Sequence, residues 1–83
     1  MATVIGEPVK VGAVFAGPAV RPRWFDHRAR RHDIAAITYQ WRSRNGAAVL
    51  LHFAVSDGAN LYELSFNQQS LEWRLEKSSG DAA

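Results

Sequence analysis

The dipeptide Asn45-Gly46 stands between two runs in which apolar and polar residues alternate, Ile37 to Arg42 before it and Val49 to Val55 after it. Alternation with a period of two puts successive side chains on opposite faces of an extended chain, and Asn-Gly tolerates the positive φ of a tight hairpin turn. Two antiparallel strands are expected, with Ile37, Tyr39 and Trp41 facing inward with Leu51, Phe53 and Val55. Downstream, Asp57-Gly58 reverses the chain, and Tyr62, Leu64 and Phe66 alternate with Glu63 and Ser65. Asn67-Gln68-Gln69-Ser70 then turns it again, and Leu71, Trp73 and Leu75 alternate with Glu72 and Arg74. Upstream, Val9, Val11, Ala13 and Phe15 form a run ended by Gly17-Pro18, and a short hairpin is expected between Arg23 and Ile34 with Arg28-Ala29 at its tip. In the second arm of that hairpin the inward residues, His32 and Ile34, fall on even positions, whereas from Ile37 they fall on odd ones, so a β-bulge is expected near Ala35-Ala36.

These runs predict an all-β fold, a six-stranded antiparallel meander curled into a small barrel or half-barrel. The stretch 28–44, rich in Ala and Arg, is the one helical competitor; β-branched and aromatic residues in its second half favour strand. Residues 7–76 read as a single small β domain. Residues 1–6 read as a frayed N-terminus and 77–83 as a disordered tail, both short of apolar anchors.

Size and composition then narrow the chemistry. A chain of 83 residues buries only roughly 60% of the surface its unfolded form exposes, too little to build the enclosed cleft of a large enzyme. With no cysteine, disulfides, thiolate nucleophiles and Cys-ligated zinc are excluded. No run of apolar residues is long enough to span a membrane, and Val11 to Val20 lacks the basic flank of a signal peptide, so a cytoplasmic protein is expected. No Gly-x-Ser-x-Gly elbow, Gly-rich phosphate loop or His-Glu-x-x-His is present. His27 and His32, with Asp26 or Asp33, have the residue types of a metal site across the hairpin, but ordinary hairpin side chains are the simpler reading. His52 is expected on the outer strand face, and Glu63 and Glu72 beside Ser65 and Arg74 in a solvated ion-pair surface. No catalytic residue, cofactor or metal is expected, and the chain is read as a non-enzyme.

Charge is distributed unevenly. Between Arg21 and Arg44 seven arginines face two aspartates, a local charge of +5, whereas the chain from Asn45 onward carries −3. Arg21, Arg23, Arg28, Arg30 and Arg31 bracket Trp24 and Phe25, and guanidinium groups beside an aromatic ring suit a nucleic-acid backbone: charge draws phosphate, and a ring stacks on a base. Arg21, Arg23, Trp24, Arg28, Arg30 and Arg31 are therefore the candidate contact residues for nucleic acid or another partner. The competing reading makes Phe25 core and the arginines solubilising groups on an edge hairpin.

Glu7-Pro8-Val9, Arg21-Pro22 with Phe25, Arg30 leading to His32 and Ile34, Trp41, Asp57-Gly58, Leu61-Tyr62-Glu63-Leu64 and Trp73-Arg74-Leu75 occur in an order that resembles a bacterial family of small all-β domains of unknown function, often encoded near accessory, mutagenic DNA polymerases. The resemblance spans roughly residues 7–76. Ala29 and His27 depart from it, standing where the family has a turn glycine and an aromatic. It implies an all-β fold and a replication or repair protein as a possible partner, and it supplies no functional residue. The expected function is a non-enzymatic accessory or adaptor module, monomeric or homodimeric, touching nucleic acid through the hairpin of residues 21–31. The alternative is a protein-interaction module that uses an exposed strand edge or the tryptophans.

Overall fold

The computed structural model describes residues 2–80. Eight strands run β1 (Ala2–Pro8), β2 (Lys10–Ala16), β3 (Ala19–His27), β4 (Arg30–Asp33), β5 (Ala36–Asn45), β6 (Ala48–Ser56), β7 (Leu61–Asn67) and β8 (Trp73–Ser79). The fold is all-β and antiparallel, as the alternation requires. It differs from a six-stranded meander in having two sheets, a five-stranded one ordered β1-β8-β7-β6-β5 and a three-stranded one ordered β2-β3-β4. Neither sheet closes on itself. The chain leaves the larger sheet at Val9, whose N–H bonds to the Trp73 carbonyl. It returns at Ile34-Ala35, where Ile34 N–H still bonds to Arg23 and Ala35 N–H already bonds to Ser56. The bulge expected near Ala35-Ala36 is instead the crossing between sheets, and the register shift of β5 lies further on, between Ile37 and Tyr39.

The ends of the chain also differ from expectation. Residues 2–8 pair with β8, although only Ile5 among their apolar side chains packs on the core. Lys77 to Ser79 extend β8, so the expected tail at 77–83 is strand over its first three residues; Met1 and residues 81–83 lie outside the described residues. Gly6, at φ 65°, sits in the irregular stretch between Val4 and Glu7, where its carbonyl accepts a hydrogen bond from the Arg74 guanidinium.

Phe25 of the smaller sheet packs with Phe53, Val55, Leu64, Phe66, Trp73 and Leu75 of the larger one. Phe25, Val55, Leu64 and Leu75 are fully buried, each stabilising the fold by about 1.5–3 kcal/mol. Phe15, expected in the core, is 59% exposed and meets only the edge of the Phe66 ring, at 5.8 Å.

The largest departure lies in β5. Its hairpin with β6 closes through Gly46-Ala47, because Asn45 pairs with Ala48, and Gly46 alone takes positive φ, as a type II′ turn requires. A two-residue loop sets odd positions against even ones. Gln40 and Arg42 therefore oppose the inward Phe53 and Leu51, while Trp41 opposes the outward His52. A bulge at Thr38, between Ile37 and Tyr39, lets Ile37 alone face the core, and the Thr38 hydroxyl donates to the Ala54 carbonyl at 3.1 Å. Past that bulge every side chain changes face, so Tyr39 and Trp41, expected inward, are turned out, and Tyr39 is 66% exposed.

Candidate nucleic-acid interface

The hairpin of residues 21–31 forms as expected, but two of its five arginines, Arg28 and Arg31, already face carboxylates. Arg28 and Ala29 form its tip at φ 53° and 61°, a left-handed conformation that costs a non-glycine residue roughly 1–2 kcal/mol. Arg28 then reaches Glu7 at 3.8 Å, and His27 approaches the same carboxylate at 3.1 Å. Arg31 pairs with Asp26 at 3.1 Å and lies over the Trp24 ring, 3.7 Å from its centroid. That indole rests on Gly12 of the neighbouring strand, where a Cβ would run into it. Trp24, one of the expected contact residues, is thus already engaged by Arg31 and Gly12.

Arg21 and Arg23 are differently placed. β4 pairs with β3 only from Trp24 to His27, so the first half of β3 has an open edge facing β5. A second bulge, at Arg23, turns Val20 and Pro22 inward and Arg21 outward. Between β3 and β5 runs a cleft of about 370 Å³ lined by Ala19, Arg21, Gln40, Arg42 and Leu51, among others. Arg21 and Arg23 also line its continuation beside Ile34 and Ile37. Arg42 and Arg44 flank Ser43 in a further depression at the end of β5. Among the described residues, Arg21, Arg23, Arg42 and Arg44 have no carboxylate within ion-pair distance. Arg30 is likewise unpaired, at the hairpin tip. The four arginines beside the clefts come from two strands far apart in sequence.

On the outer face of the larger sheet the Tyr39, Trp41 and His52 rings form a stack. Tyr39 and Trp41 lie 5.6 Å apart at 29°, and Trp41 and His52 5.0 Å apart at 6°. His52 is held by Ser43, whose Oγ lies 2.7 Å from Nε2, and its Nδ1 is 3.7 Å from Glu63 Oε2. Serine, histidine and glutamate thus follow one another in the order of a nucleophile–base–acid relay. The last separation exceeds a hydrogen bond, and His52 Nδ1 is buried without a hydrogen-bond partner, so the imidazole is not fixed in the tautomer that a relay needs. Beyond Glu63 the same face becomes acidic: Ser65 donates to Glu76 at 2.6 Å, and Arg74 lies between Glu72 at 3.6 Å and Glu76 at 3.9 Å.

The two remaining histidines join the sheets rather than each other. His32 stacks on Phe25 at 4.8 Å and faces Asp57 at 3.6 Å and the Tyr62 hydroxyl at 3.4 Å, both from the larger sheet. Asp26 and Asp33 pair with Arg31 and Trp24 on the hairpin's other face, away from His32 and Phe25. Among the described residues no group of three or more His, Asp or Glu is arranged to hold a metal, and no helix is long and apolar enough to cross a membrane.

Sequence reasoning selected Arg21 and Arg23 and missed Arg42 and Arg44, although they belong to the same basic segment. It also assigned Tyr39 and Trp41 to the core. The chain matches no family model, no curated protein and no solved structure, so the functional reading stands on this geometry and on the residues quoted for the family resemblance.

Proposed function

We propose that the protein is a non-enzymatic accessory or adaptor module that contacts nucleic acid along the cleft between β3 and β5. The observation that carries this reading is the set of four arginines, Arg21, Arg23, Arg42 and Arg44, which among the described residues have no carboxylate partner and which border neighbouring depressions. An unpaired guanidinium keeps its full charge and both donor edges for phosphate, whereas one already bonded to a carboxylate must give up that bond first. Arg31, hydrogen-bonded to Asp26, therefore contributes less than the sequence suggests, and Arg28 is loosely paired with Glu7 at 3.8 Å. Arg21 and Arg23 keep their expected role, whereas Arg30, though without a carboxylate partner among the described residues, stands at the hairpin tip and lines none of these depressions.

The test is fluorescence anisotropy of labelled oligonucleotides across a salt series. Four phosphate contacts on a duplex give log K against log salt a slope of about −3.6. Arg21→Ala/Arg42→Ala should reduce that slope by about 1.8, and Arg28→Ala/Arg31→Ala should change it little. Absence of salt-dependent binding, or loss confined to the Arg28/Arg31 variant, overturns the proposal.

A second reading rests on the open outer edge of β5, which has β6 as its only neighbour. A partner's strand, or a second copy's, adds there through main-chain hydrogen bonds. Such binding survives high salt, which separates it from phosphate contact.

A further inference from the structure

Tyr39 and Trp41 lie two residues apart on an edge strand, turned away from the core by the Thr38 bulge. A pair of large rings gains nothing from solvent exposure, and Ile37, one step earlier on the same strand, does pack on the core. The bulge therefore separates a core-facing half of β5 from an aromatic, outward half. The outward half is organised. Trp41 stacks on His52, His52 is anchored by the Ser43 hydroxyl at 2.7 Å with Glu63 behind it, and Tyr39 caps the stack with most of its surface free. Three roughly parallel rings with an open end present the face on which a fourth planar ring continues the stack.

The charges around the stack limit what that ring belongs to. Arg42 and Arg44 alternate with Trp41 and Ser43 along the same strand, so they lie across its open edge from the stack, on the inner face with Leu51 and Val49, where Arg21 also lines the cleft. On the other side, beyond His52, lie Glu63, Glu76 and Glu72. The edge of β5 thus offers an anionic backbone unpaired arginines, whereas along β7, β8 and the turn between them Glu63, Glu72 and Glu76 outnumber Arg74 and Lys77, and Arg74 is already paired. A ligand with planar rings on one side and phosphates on the other matches this arrangement.

We infer that the Tyr39–Trp41–His52 stack is a platform for an unpaired base, so that the nucleic acid bound along β5 is single-stranded, with Tyr39 taking the base on the outer face and the phosphates crossing the open strand edge toward Arg42 and Arg44 on the inner one. This rests on the nucleic-acid reading above and adds strandedness and a residue to it. In a duplex the base faces are already stacked, so Tyr39 has nothing to receive; in DNA or RNA single strands they are free.

The experiment compares a labelled ten-nucleotide oligo(dT), an oligo(rU) of the same length and a mixed-sequence duplex at fixed low salt, using the full chain, Tyr39→Ala, Tyr39→Phe and Arg21→Ala/Arg42→Ala. Tyr39→Ala should weaken binding of a single strand roughly 5- to 150-fold, while Tyr39→Phe, which keeps the ring, stays within a few-fold of the parent. Duplex binding should be weaker than single-strand binding and unaffected by Tyr39→Ala. The two single-stranded probes show which sugar is preferred, and preference for either over the duplex supports the inference. Because Tyr39 is exposed, its removal leaves the fold intact, which an unchanged urea midpoint verifies. If Tyr39→Ala leaves every probe unaffected while the arginine variant loses binding, the stacking inference is wrong and the arginine cleft stands. If no probe binds the parent chain, both are wrong.

Discussion

Replacing Asp57 by Asn should reveal how much its carboxylate stabilises the β6–β7 turn and Tyr62, against which His32 of the smaller sheet packs. Asp57 opens the β6–β7 turn, where its Oδ1 accepts the backbone N–H groups of Asn60 at 2.7 Å and Ala59 at 2.9 Å. Its Oδ2 accepts the Tyr62 hydroxyl at 3.2 Å and faces His32 of β4 at 3.6 Å. Burial works to raise the carboxyl pKa, but the Asn60 and Ala59 N–H groups, with the Tyr62 and His32 contacts, hold it below its ordinary 3.8. In Asp57→Asn the amide oxygen still serves the turn, whereas its NH2 cannot accept from Tyr62. One hydrogen bond to a charged group is lost, costing about 1.5–3 kcal/mol at neutral pH. For a domain of this size that lowers the urea midpoint by on the order of 1 M, readable from the fluorescence of the buried Trp73.

The pH dependence follows from the direction of the shift. A carboxylate with a depressed folded pKa stabilises the fold fully above its unfolded value and loses that contribution as pH falls through the folded one. The gap between parent and Asp57→Asn should therefore be widest near neutrality and close in acid. Tyr62 gives the opposite limb. Burial, aided by the Asp57 charge, raises its pKa above 10.0, so its contribution is complete below the unfolded value and is lost as pH rises through the folded one. Equal midpoints at neutral pH, or a gap that persists unchanged into acid, would show that the Asp57 carboxylate does not stabilise Tyr62 and the β6–β7 turn.

Two smaller perturbations follow from the hairpin. Gly12→Ala places a methyl group into the Trp24 ring and should destabilise the domain by about 1–3 kcal/mol in urea melts; an unchanged midpoint would mean that the indole moves aside freely. Ala29→Gly relieves the positive φ of 61° at the tip and should stabilise by about 0.5–1 kcal/mol after the unfolded-state entropy of glycine is deducted; a loss of stability would place Ala29 outside the left-handed region.

Much of the fold is legible residue by residue. The alternation of Tyr62, Leu64 and Phe66 and of Trp73 and Leu75 against their polar neighbours places all five at or beside the core, and the phase change before Ile37 marks where the chain changes sheets. β1 is obscured because Ala2 to Gly6 have one packed apolar side chain, Ile5, and a glycine break, so the strand is held by backbone pairing to β8 that leaves little trace in composition. The faces of Tyr39 and Trp41 were present in the sequence in another form. A two-residue hairpin loop always opposes odd to even positions, so odd residues cannot point inward on both β5 and β6. Alternation alone chooses the apolar face of a strand, and here that choice conflicts with turn geometry; the bulge at Thr38 resolves the conflict in favour of the turn. The unpaired arginines were less accessible. Whether Arg28 or Arg42 keeps a free charge depends on the location of Glu7, which β1 brings beside the hairpin tip, and no local pattern encodes that.

The central claim is that nucleic acid lies along β3 and β5 rather than at the hairpin tip. An amide chemical-shift titration of the isotopically labelled protein with a short oligo(dT) tests it most directly. Shifts concentrated at Arg21, Arg23, Tyr39 to Arg44 and His52, with Arg28 to Arg31 still, are the expected result. Shifts confined to Arg28 through Arg31, or none at saturating oligonucleotide, contradict it.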